Sequence, residues 1–319
     1  MGLRCAVLDD YQGVALDMAD WSVLADRVDV TVHREHFESR DRLVEALRHH
    51  EVVVVMRERT PFDADLIARL PSLRLLVTSG MRNASIDLAA AADAGVVVCG
   101  TGSTSGPPVE LTWALILGLA RHLVAENASL RSDGPWQSTV GVGLAGKTLG
   151  LLGFGKIGVQ VGRVGRAFGM DVVAWSANLG AERTEPEGVR LAASLEDLLA
   201  ASDVLSVHLV LGDRTRGLVD AGALKSLRPG ALLVNTSRAA IVDQDALVDA
   251  LREGRLAGAG LDVFEQEPLP RGHVLRRLPN VLATPHVGYV TDGNYAVYFR
   301  EAVEDILAFL DGAPIRTLR

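Results

Sequence analysis

Short apolar runs alternate along this chain with longer stretches whose apolar residues recur every three to four positions. The short runs are rich in valine and leucine, which is typical of strands buried on both faces of a parallel sheet. The longer stretches have the period of an amphipathic helix. Because strand, helix and strand in that order make a βαβ unit, the pattern predicts an α/β protein with mostly parallel sheets.

The strand and helix order occurs twice. The strand candidates of the first series are "LRCAVLD", "VDVTVH", "VVVVM", "LRLLVT" and "GVVVC". In this series "SIDLAAAADAG" predicts a helix with Ser85 as N-cap and Gly95 as C-cap. The strand candidates of the second series are "KTLGLLG", "MDVVAWS", "DVLSVHLVL", "GALLVNTS", "LAGAGLDVF" and "NVLATPH".

Between the two series lies "GTGSTSGPP" (100–108), a cluster of Gly, Ser, Thr and Pro that predicts a crossing between domains. One long helix, "VELTWALILGLARHLVAEN", is expected to follow it. A length of 319 residues suits two domains. We expect the first to span residues 1–102 and the second 103–287. The last residues contain one helix, "YAVYFREAVEDILAFLDG", which is too little for a third domain, so 288–319 are expected to complete the first.

Composition narrows the classes of function. Hydrophobic residues make up 48% of the chain and charged residues 23%, and no apolar run approaches the roughly 18 residues of a membrane span. The N-terminal residues carry no targeting signal, so a cytoplasmic protein is expected. Cys5 and Cys99 lie in apolar runs, which predicts buried thiols and a reducing compartment. A net charge of -8 without a basic cluster argues against a nucleic-acid partner.

A glycine motif opens the second series. Gly153, Gly155 and Gly158 in "LLGFGKIG" have the G-x-G-x-x-G spacing, with Lys156 and Ile157 inside it. A strand precedes the motif and the helix "KIGVQVGRVGRAFG" follows it, which is the context of a pyrophosphate site. Glycines permit a tight turn and a close backbone approach, and the helix N-terminus attracts phosphate. The motif therefore predicts dinucleotide binding rather than an ordinary strand-to-helix turn.

The strand after this motif lacks the expected acid. An Asp or Glu about 20 residues past the first glycine usually accepts hydrogen bonds from the adenosine ribose. This chain has Ser176 there, while Asp171 lies at the other end of the strand. Without a carboxylate nothing repels a 2′-phosphate, and Asn178 or Arg183 could hold one. Both could equally be solvated loop residues, so the choice between NAD and NADP stays open.

Three further stretches fall where strands of the second series end, and an open α/β sheet forms its ligand crevice along that edge. They are "VNTSRAAIVD", "GLDVFEQEP" and "ATPHVG". Taken singly, Arg238 is explained as a surface cation, Glu267 as a loop charge and His286 as a capping or packing residue. Together they form a candidate catalytic set. His208 is a rival histidine, but its apolar strand favours a packing role.

With these stretches the chain resembles the D-isomer-specific 2-hydroxyacid dehydrogenase family over nearly its whole length. The matching stretches are "DLAAAADAGVVV", "GKTLGLLGFGKIG", "LKSLRPGALLVNTSRAAIVD", "GAGLDVFEQEP" and "TPHVG". The resemblance implies two doubly wound parallel-sheet domains: a Rossmann dinucleotide-binding domain and a flavodoxin-like substrate domain. It also implies NAD or NADP as cofactor, a small 2-oxo or 2-hydroxy acid as substrate, and a homodimer formed through the long helix from Val109 and the loop "SDGPWQSTVGVG".

In that family the Arg of "NTSR", the Glu before the Pro of "ExEP" and the His of "TPH" are catalytic, which selects Arg238, Glu267 and His286, with Glu265 as a bystander. The chemistry agrees. A guanidinium can bind a carboxylate and polarise a carbonyl. An imidazole titrates near neutral pH, and a neighbouring carboxylate favours its protonated form. No metal site is expected.

The resemblance also implies contacts with the cofactor, for which the residues themselves give less support. Asp262 matches the residue that orients the nicotinamide carboxamide, and a buried Asp needs such a partner. Thr112, Thr236 and Ser237 are weaker cofactor candidates.

The substrate loop departs from the family pattern. Relatives usually have a "GVGxDNID"-like loop whose N–H groups hold the substrate carboxylate, and this chain has "SGMRNASID". Gly80 remains, and the N–H groups of Met81 and Arg82 could still bind the substrate, although a non-glycine restricts the turn. The Arg82 side chain could contact a second anionic group or point to solvent. Arg57, at another strand end, is a further candidate for the same cleft.

Two neighbours within the family are less favoured. Formate-oxidising relatives carry Gln at the position of Glu267, and phosphoglycerate-oxidising relatives often add a C-terminal domain for which a chain ending at Arg319 has no room. A reductase of glyoxylate, hydroxypyruvate or another small 2-oxo acid is therefore expected. The alternatives are a dinucleotide-sensing corepressor on the same fold and a pseudoenzyme. The intact set of three residues argues against the pseudoenzyme, and the lack of long disordered tails weighs modestly against the corepressor.

Overall fold

The computed structural model describes residues 2–319, which form two compact units. Unit 1 comprises residues 2–104 and Val290–Arg319, and unit 2 comprises Ser105–Tyr289. The chain passes from unit 1 to unit 2 inside the Gly, Ser, Thr and Pro cluster at 100–108. The substrate and dinucleotide roles assigned to domains 1–102 with 288–319 and 103–287 stay predictions.

Unit 1 contains one parallel sheet of five strands. The strands are β1 (Leu3–Val7), β2 (Val28–Val32), β3 (Val52–Val55), β4 (Leu75–Thr78) and β5 (Val97–Gly100). Their order, β2-β1-β3-β4-β5, is that of flavodoxin-like folds. The four valines of β3 are all buried, as expected of a central parallel strand covered on both faces. The helices between the strands are α1 (Arg40–Leu47), α2 (Ala64–Ala68) and α3 (Leu88–Asp93).

Unit 2 contains a parallel sheet of seven strands. The strands are β6 (Thr148–Leu152), β7 (Asp171–Trp175), β8 (Arg190–Leu191), β9 (Val204–Val207), β10 (Ala231–Asn235), β11 (Leu256–Leu261) and β12 (Val281–Ala283). Their order, β12-β11-β10-β9-β6-β7-β8, is the Rossmann order with one strand added at an edge. The predicted fold class is therefore confirmed. Strand β8 was not predicted because two residues carry no periodicity.

Helices cover both faces of the second sheet. They are α4 (Gly106–Ala120), α5 (Leu123–Arg131), α6 (Lys156–Ala167), α7 (Ala181–Thr184), α8 (Leu195–Ala201), α9 (Ala221–Ser226) and α10 (Gln244–Arg252). A separate apolar cluster lies on each face, one including Leu233 and Leu247 and the other Ile116 and Leu151. The last helix, α11 (Asp292–Leu310), belongs to unit 1.

The prediction of one long helix after residue 108 is wrong. Helices α4 and α5 are separate and bent by 63°. His122 lies between them in the left-handed region with φ 51°, and Val142 donates its N–H to the carbonyl of Ala120 at 2.7 Å. The break thus depends on a contact with a later segment, which helical periodicity does not reveal.

The predicted N-cap of α3 is also wrong. Asp87 caps this helix by accepting from the N–H of Ala90 at 2.9 Å. Ser85 instead donates its N–H and its hydroxyl to the side chain of Asn83. Gly95 lies one residue past the C-cap Ala94 with φ 71°, a position that favours glycine.

Both cysteines are free and buried, as predicted. No single helix within residues 2–319 has the length and apolar character needed to cross a membrane; α4 and α5 reach them only when taken together across their bend.

One buried carboxyl in unit 1 gives a prediction about stability. Asp305 is fully buried, and Arg316 donates Nε to it at 3.0 Å while also bonding Glu304. Burial nevertheless raises the pKa of Asp305 from 3.8 to about 7. The folded state therefore keeps a proton that the unfolded state has released, and the free energy of unfolding should fall as pH rises between these two values.

We expect Asp305→Asn to remove that loss, so its stability relative to the native protein should increase by about 1–3 kcal/mol from pH 4 to pH 8. Urea unfolding at both pH values measures this, with exposed Asp93→Asn as control. An equal loss of stability at both pH values would mean that the Arg316 pair stabilises the fold and would contradict the prediction.

Candidate active site

Three neighbouring strands of unit 2 bring the predicted catalytic residues to one edge of the sheet. Strands β10, β11 and β12 are adjacent and parallel, so their carboxyl ends lie side by side. Arg238 follows β10, Glu267 lies in the turn after β11, and His286 follows β12. Parallel pairing alone therefore places these residues on neighbouring strand ends.

His286 and Glu267 form a close pair. Nδ1 of His286 lies 2.6 Å from Oε2 of Glu267. The other carboxylate oxygen, Oε1, accepts from the N–H of Phe264 at 2.9 Å, which fixes the orientation of the carboxylate. Both side chains are partly accessible, at 17% for His286 and 29% for Glu267. Because Nδ1 faces Glu267, Nε2 is the ring nitrogen that can exchange a proton with a ligand.

Asp262 holds the turn that carries His286. Its carboxylate accepts from the hydroxyl of Thr284 at 2.6 Å and from the N–H groups of Val287 and Gly288 at 2.8 Å each. His286 itself has a left-handed backbone, φ 53°, which is uncommon for a non-glycine residue. Burial raises the pKa of Asp262, although these hydrogen bonds and His286 oppose the rise. Contact of Asp262 with the nicotinamide carboxamide stays a prediction.

Arg238 lies on a turn fixed by Asn235. The side chain of Asn235 accepts from the N–H of Ser237 and donates to the carbonyl of Arg238, both at 3.0 Å. Arg238 donates Nη1 to the carbonyl of Ser237 at 2.8 Å. The hydroxyl of Ser237 donates to the carbonyl of Leu209. The polar side chains around Arg238 thus fix its backbone.

The hydroxyls of Thr112 and Thr236, both predicted to contact the cofactor, lie 2.8 Å apart. Thr112 is fully buried and also donates to the carbonyl of Pro108 at 2.7 Å. The pair links α4 to the end of β10, and its contact with cofactor stays a prediction.

Within residues 2–319, neither His208 nor Glu265 is hydrogen-bonded to His286 or Glu267. His208 follows β9 and bonds Ser206 through Nε2 at 2.8 Å. Burial lowers its pKa to about 4, so it is neutral at physiological pH and unsuited to donate a proton there. Glu265 is exposed and contacts Gln244. Strand β11 ends at Leu261, so Glu265 and Glu267 both lie in the segment that follows the strand.

The glycine motif has the shape of a dinucleotide cradle. Gly153 has φ 106°, and a Cβ there would lie 2.7 Å from the carbonyl carbon of His208. A Cβ on Gly158 would lie 2.3 Å from the carbonyl oxygen of Gly153. A Cβ on Gly155, the N-cap of α6, would meet nothing within 4 Å. Two glycines are therefore required by backbone packing, and the third leaves open space at the helix N-terminus, where a pyrophosphate fits.

The remaining residues considered for cofactor binding lie at the start of α6 and at the two ends of β7. Lys156 is exposed and Ile157 half-buried at the start of α6. Ser176 follows β7 and is half-buried, while Asn178 is exposed in the next turn. Asp171 begins β7 at the opposite edge of the sheet.

In unit 1, the predicted substrate residues lie together. Gly80 has φ 88° and donates its N–H to Thr101 at 3.0 Å. Nη1 of Arg57 donates to the carbonyl of Ser79 at 3.1 Å. The same Nη1 occupies the space that a Cβ on Gly80 would need. Met81 and Arg82 are exposed, and among residues 2–319 no acceptor is bonded to their N–H groups. Their contact with substrate stays a prediction, as does that of Gly80 and Arg57.

Sequence reasoning missed the polar residues that fix the candidate site. Asn83 donates to the carbonyl of Arg57 at 2.7 Å, Asn235 holds the Arg238 turn, and Thr284 bonds Asp262. Asn at a strand end is a usable signal, because its side chain readily bonds nearby backbone. The hydrogen bond from Thr284 to Asp262 joins residues that follow two different strands, so no local sequence pattern indicates it.

Comparison with known proteins identifies the class. A family model for the NAD binding domain of D-isomer specific 2-hydroxyacid dehydrogenases matches residues 113–288. Glyoxylate reductase of Aeropyrum pernix is 41% identical over 259 residues, which cover 78% of this chain and 77% of that protein. The chain belongs to the D-isomer-specific 2-hydroxyacid dehydrogenase family.

Two further relatives agree. Hydroxypyruvate reductase of Thermotoga maritima is 35% identical over 282 residues, covering 86% of this chain and 90% of that protein. The crystal structure of phosphoglycerate oxidoreductase from Vibrio cholerae superposes with a TM-score of 0.93 at 36% identity, covering 98% and 100%. The chain is thus an oxidoreductase that uses NAD or NADP and acts on the CH–OH group of a 2-hydroxy acid. These matches do not favour the corepressor alternative.

Proposed function

We propose that this protein reduces a small 2-oxo acid, such as glyoxylate or hydroxypyruvate, to the D-2-hydroxy acid. The observation that carries the proposal is the 2.6 Å pair of His286 and Glu267, on strand ends next to that of Arg238. The names of the Aeropyrum and Thermotoga relatives support the choice of substrate class.

Each residue has a distinct task in this proposal. When bound, the reduced nicotinamide supplies the hydride that the carbonyl carbon receives. His286 transfers a proton from Nε2 to the carbonyl oxygen, so the imidazolium becomes neutral as the hydroxyl forms. Glu267 stabilises the imidazolium beforehand through Nδ1. Arg238 binds the substrate carboxylate and polarises the carbonyl.

Loss of absorbance at the reduced-nicotinamide band tests this function. NADH and NADPH are each supplied with glyoxylate, hydroxypyruvate, pyruvate and the 2-oxo acid of 3-phosphoglycerate, because the Vibrio relative is named for phosphoglycerate. We expect turnover with one or more of the first three. Turnover confined to the phosphorylated acid would contradict the substrate class, and none with any acid would contradict the function.

We also propose a homodimer formed through α5 and the loop that follows it. Large apolar side chains are exposed along this segment: Leu123, Val124, Leu130, Trp136 at 80% and Val140 at 92%. Solvent exposure of so many neighbouring apolar side chains is typical of an interface.

A charge on this segment should split the dimer. We expect Val124→Asp to shift the mass measured by light scattering from dimer to monomer, because an unpaired charge is costly in an interface. Leu16→Asp, on an exposed apolar residue of unit 1, serves as control and should stay dimeric. A monomeric native protein would contradict the proposal.

A cytoplasmic location is part of the proposal. Two free buried thiols and the absence of a disulfide among the described residues support it. The acidic net charge of -8 supports small-molecule partners rather than nucleic acid.

A further inference from the structure

The end of β7 lacks the acid that normally selects NAD. Ser176 stands there, half-buried and without charge. Glu182 is the nearest acid along the chain after β7, but its carboxylate turns back onto the backbone of Gly180, where it fills the space that a Cβ on Gly180 would need. The strand end therefore presents a hydroxyl where a ribose-binding carboxylate is usual.

A guanidinium reaches the glycine motif from the same side. Arg183 lies in α7, just after β7, and donates Nη2 to the carbonyl of Phe154 at 2.7 Å. Phe154 is the residue between Gly153 and Gly155, so this hydrogen bond holds the cation against the cradle. Within residues 2–319 its other N–H groups have no acceptor. Arginine offers five donors in a planar fork, which suits a phosphate as well as the carbonyl.

We propose that Arg183 and Ser176 bind the 2′-phosphate of the adenosine ribose, so that the protein prefers NADP(H) to NAD(H). The inference rests on the proposed function only in requiring that a dinucleotide bind at the glycine motif. The guanidinium supplies the charge, the hydroxyl donates a further hydrogen bond, and a dianionic phosphate gains more from this cation than a neutral ribose hydroxyl does.

Binding to the full-length protein without any 2-oxo acid tests the proposal independently of turnover. Fluorescence titration gives Kd for NADPH and NADH, and calorimetry gives Kd for 2′,5′-ADP and 5′-AMP, which differ in the 2′-phosphate and lack the nicotinamide. We expect the native protein to bind the phosphorylated member of each pair at least about 10-fold more tightly.

Two variants separate a phosphate contact from a structural role. Arg183→Gln should weaken NADPH and 2′,5′-ADP about 10- to 100-fold, yet change NADH and 5′-AMP less than about threefold, because the last two lack the 2′-phosphate that the guanidinium would bind. Ser176→Asp should reverse the preference by repelling the phosphate and accepting the ribose hydroxyls. Arg252→Gln, on an exposed arginine in the last turn of α10, is the matched control and should alter none of the four.

Three results would overturn the proposal. Equal or tighter binding of NADH by the native protein is one. A parallel loss of NADH and NADPH in Arg183→Gln is another, because it would make Arg183 a support of the loop alone. The third is a large loss of NADH binding in Glu182→Gln, which would assign the ribose hydroxyls to Glu182. NADPH preference without turnover of any 2-oxo acid would uphold this inference while contradicting the proposed function.

Discussion

His286→Asn is expected to lower kcat about 10²- to 10⁴-fold, the usual contribution of a positioned general acid. In the proposed assignment Nε2 delivers the proton, and Asn offers no substitute for it, since a carboxamide is not acidic. Asn removes the imidazole with the least disturbance of the backbone, because it tolerates the left-handed conformation at this position, φ 53°, better than Ala does. The fold and the Asp262 contacts to Val287 and Gly288 should therefore survive.

Steady-state kinetics, cofactor titration and thermal melting of the same variant separate chemistry from binding and folding. Cofactor affinity and melting temperature should be unchanged. Glu267→Gln keeps the bond to Phe264 but loses the charge, and should cost about 10- to 100-fold in kcat. His49→Asn, on an exposed histidine, is the control, and His208→Asn tests the rival. Near-native kcat in His286→Asn, or a greater loss in His208→Asn, would refute the assignment.

Arg238→Gln is expected to lower kcat/KM about 10²- to 10³-fold, comparable to removing a preorganised donor from an oxyanion site. In the proposed assignment the guanidinium binds the substrate carboxylate in the ground state and polarises the carbonyl as negative charge develops, so KM and kcat should both worsen. Arg238→Lys should recover part of the loss, because an ammonium keeps the charge without the planar fork.

Arg214→Gln, on an exposed arginine of the same unit, is the control for charge and should behave as native. Cofactor titration distinguishes a lower kcat/KM caused by weaker cofactor binding from one caused by weaker binding or polarisation of the substrate. Unchanged NADPH and NADH affinity in Arg238→Gln places the defect in the handling of substrate. A variant within about threefold of native kcat/KM would show that another cation binds the carboxylate, because loss of a charged hydrogen bond costs more than this.

Much of the fold could be predicted because each buried strand of a parallel sheet is a short apolar run in the local sequence. The four valines of β3 and the run of Ala, Leu and Val that begins β10 are short and uninterrupted, and the chain order of strand and helix then fixes parallel pairing. The same logic predicted that residues following β10, β11 and β12 share one edge. The resemblance to a family then selected Glu267 over Glu265, which composition could not do.

What could not be predicted depends on contacts between distant segments. The bend at His122 involves the N–H of Val142, and the cap of α3 depends on whether Ser85 or Asp87 faces the first turn. The support of His286 by Asp262 joins two strands whose register is invisible in sequence. Local patterns give elements and their order, whereas these features require the packed fold.

The carboxylate of Asp262 determines whether the conformational entropy of the His286 segment is lost during folding or during each turnover. Three donors on one buried carboxylate remove the conformational freedom of the segment that carries the imidazole. That entropy is lost when the polypeptide folds, and so it does not add to the barrier of each turnover. If His286 is the general acid, as proposed, its imidazole is therefore preorganised for proton transfer before the substrate binds.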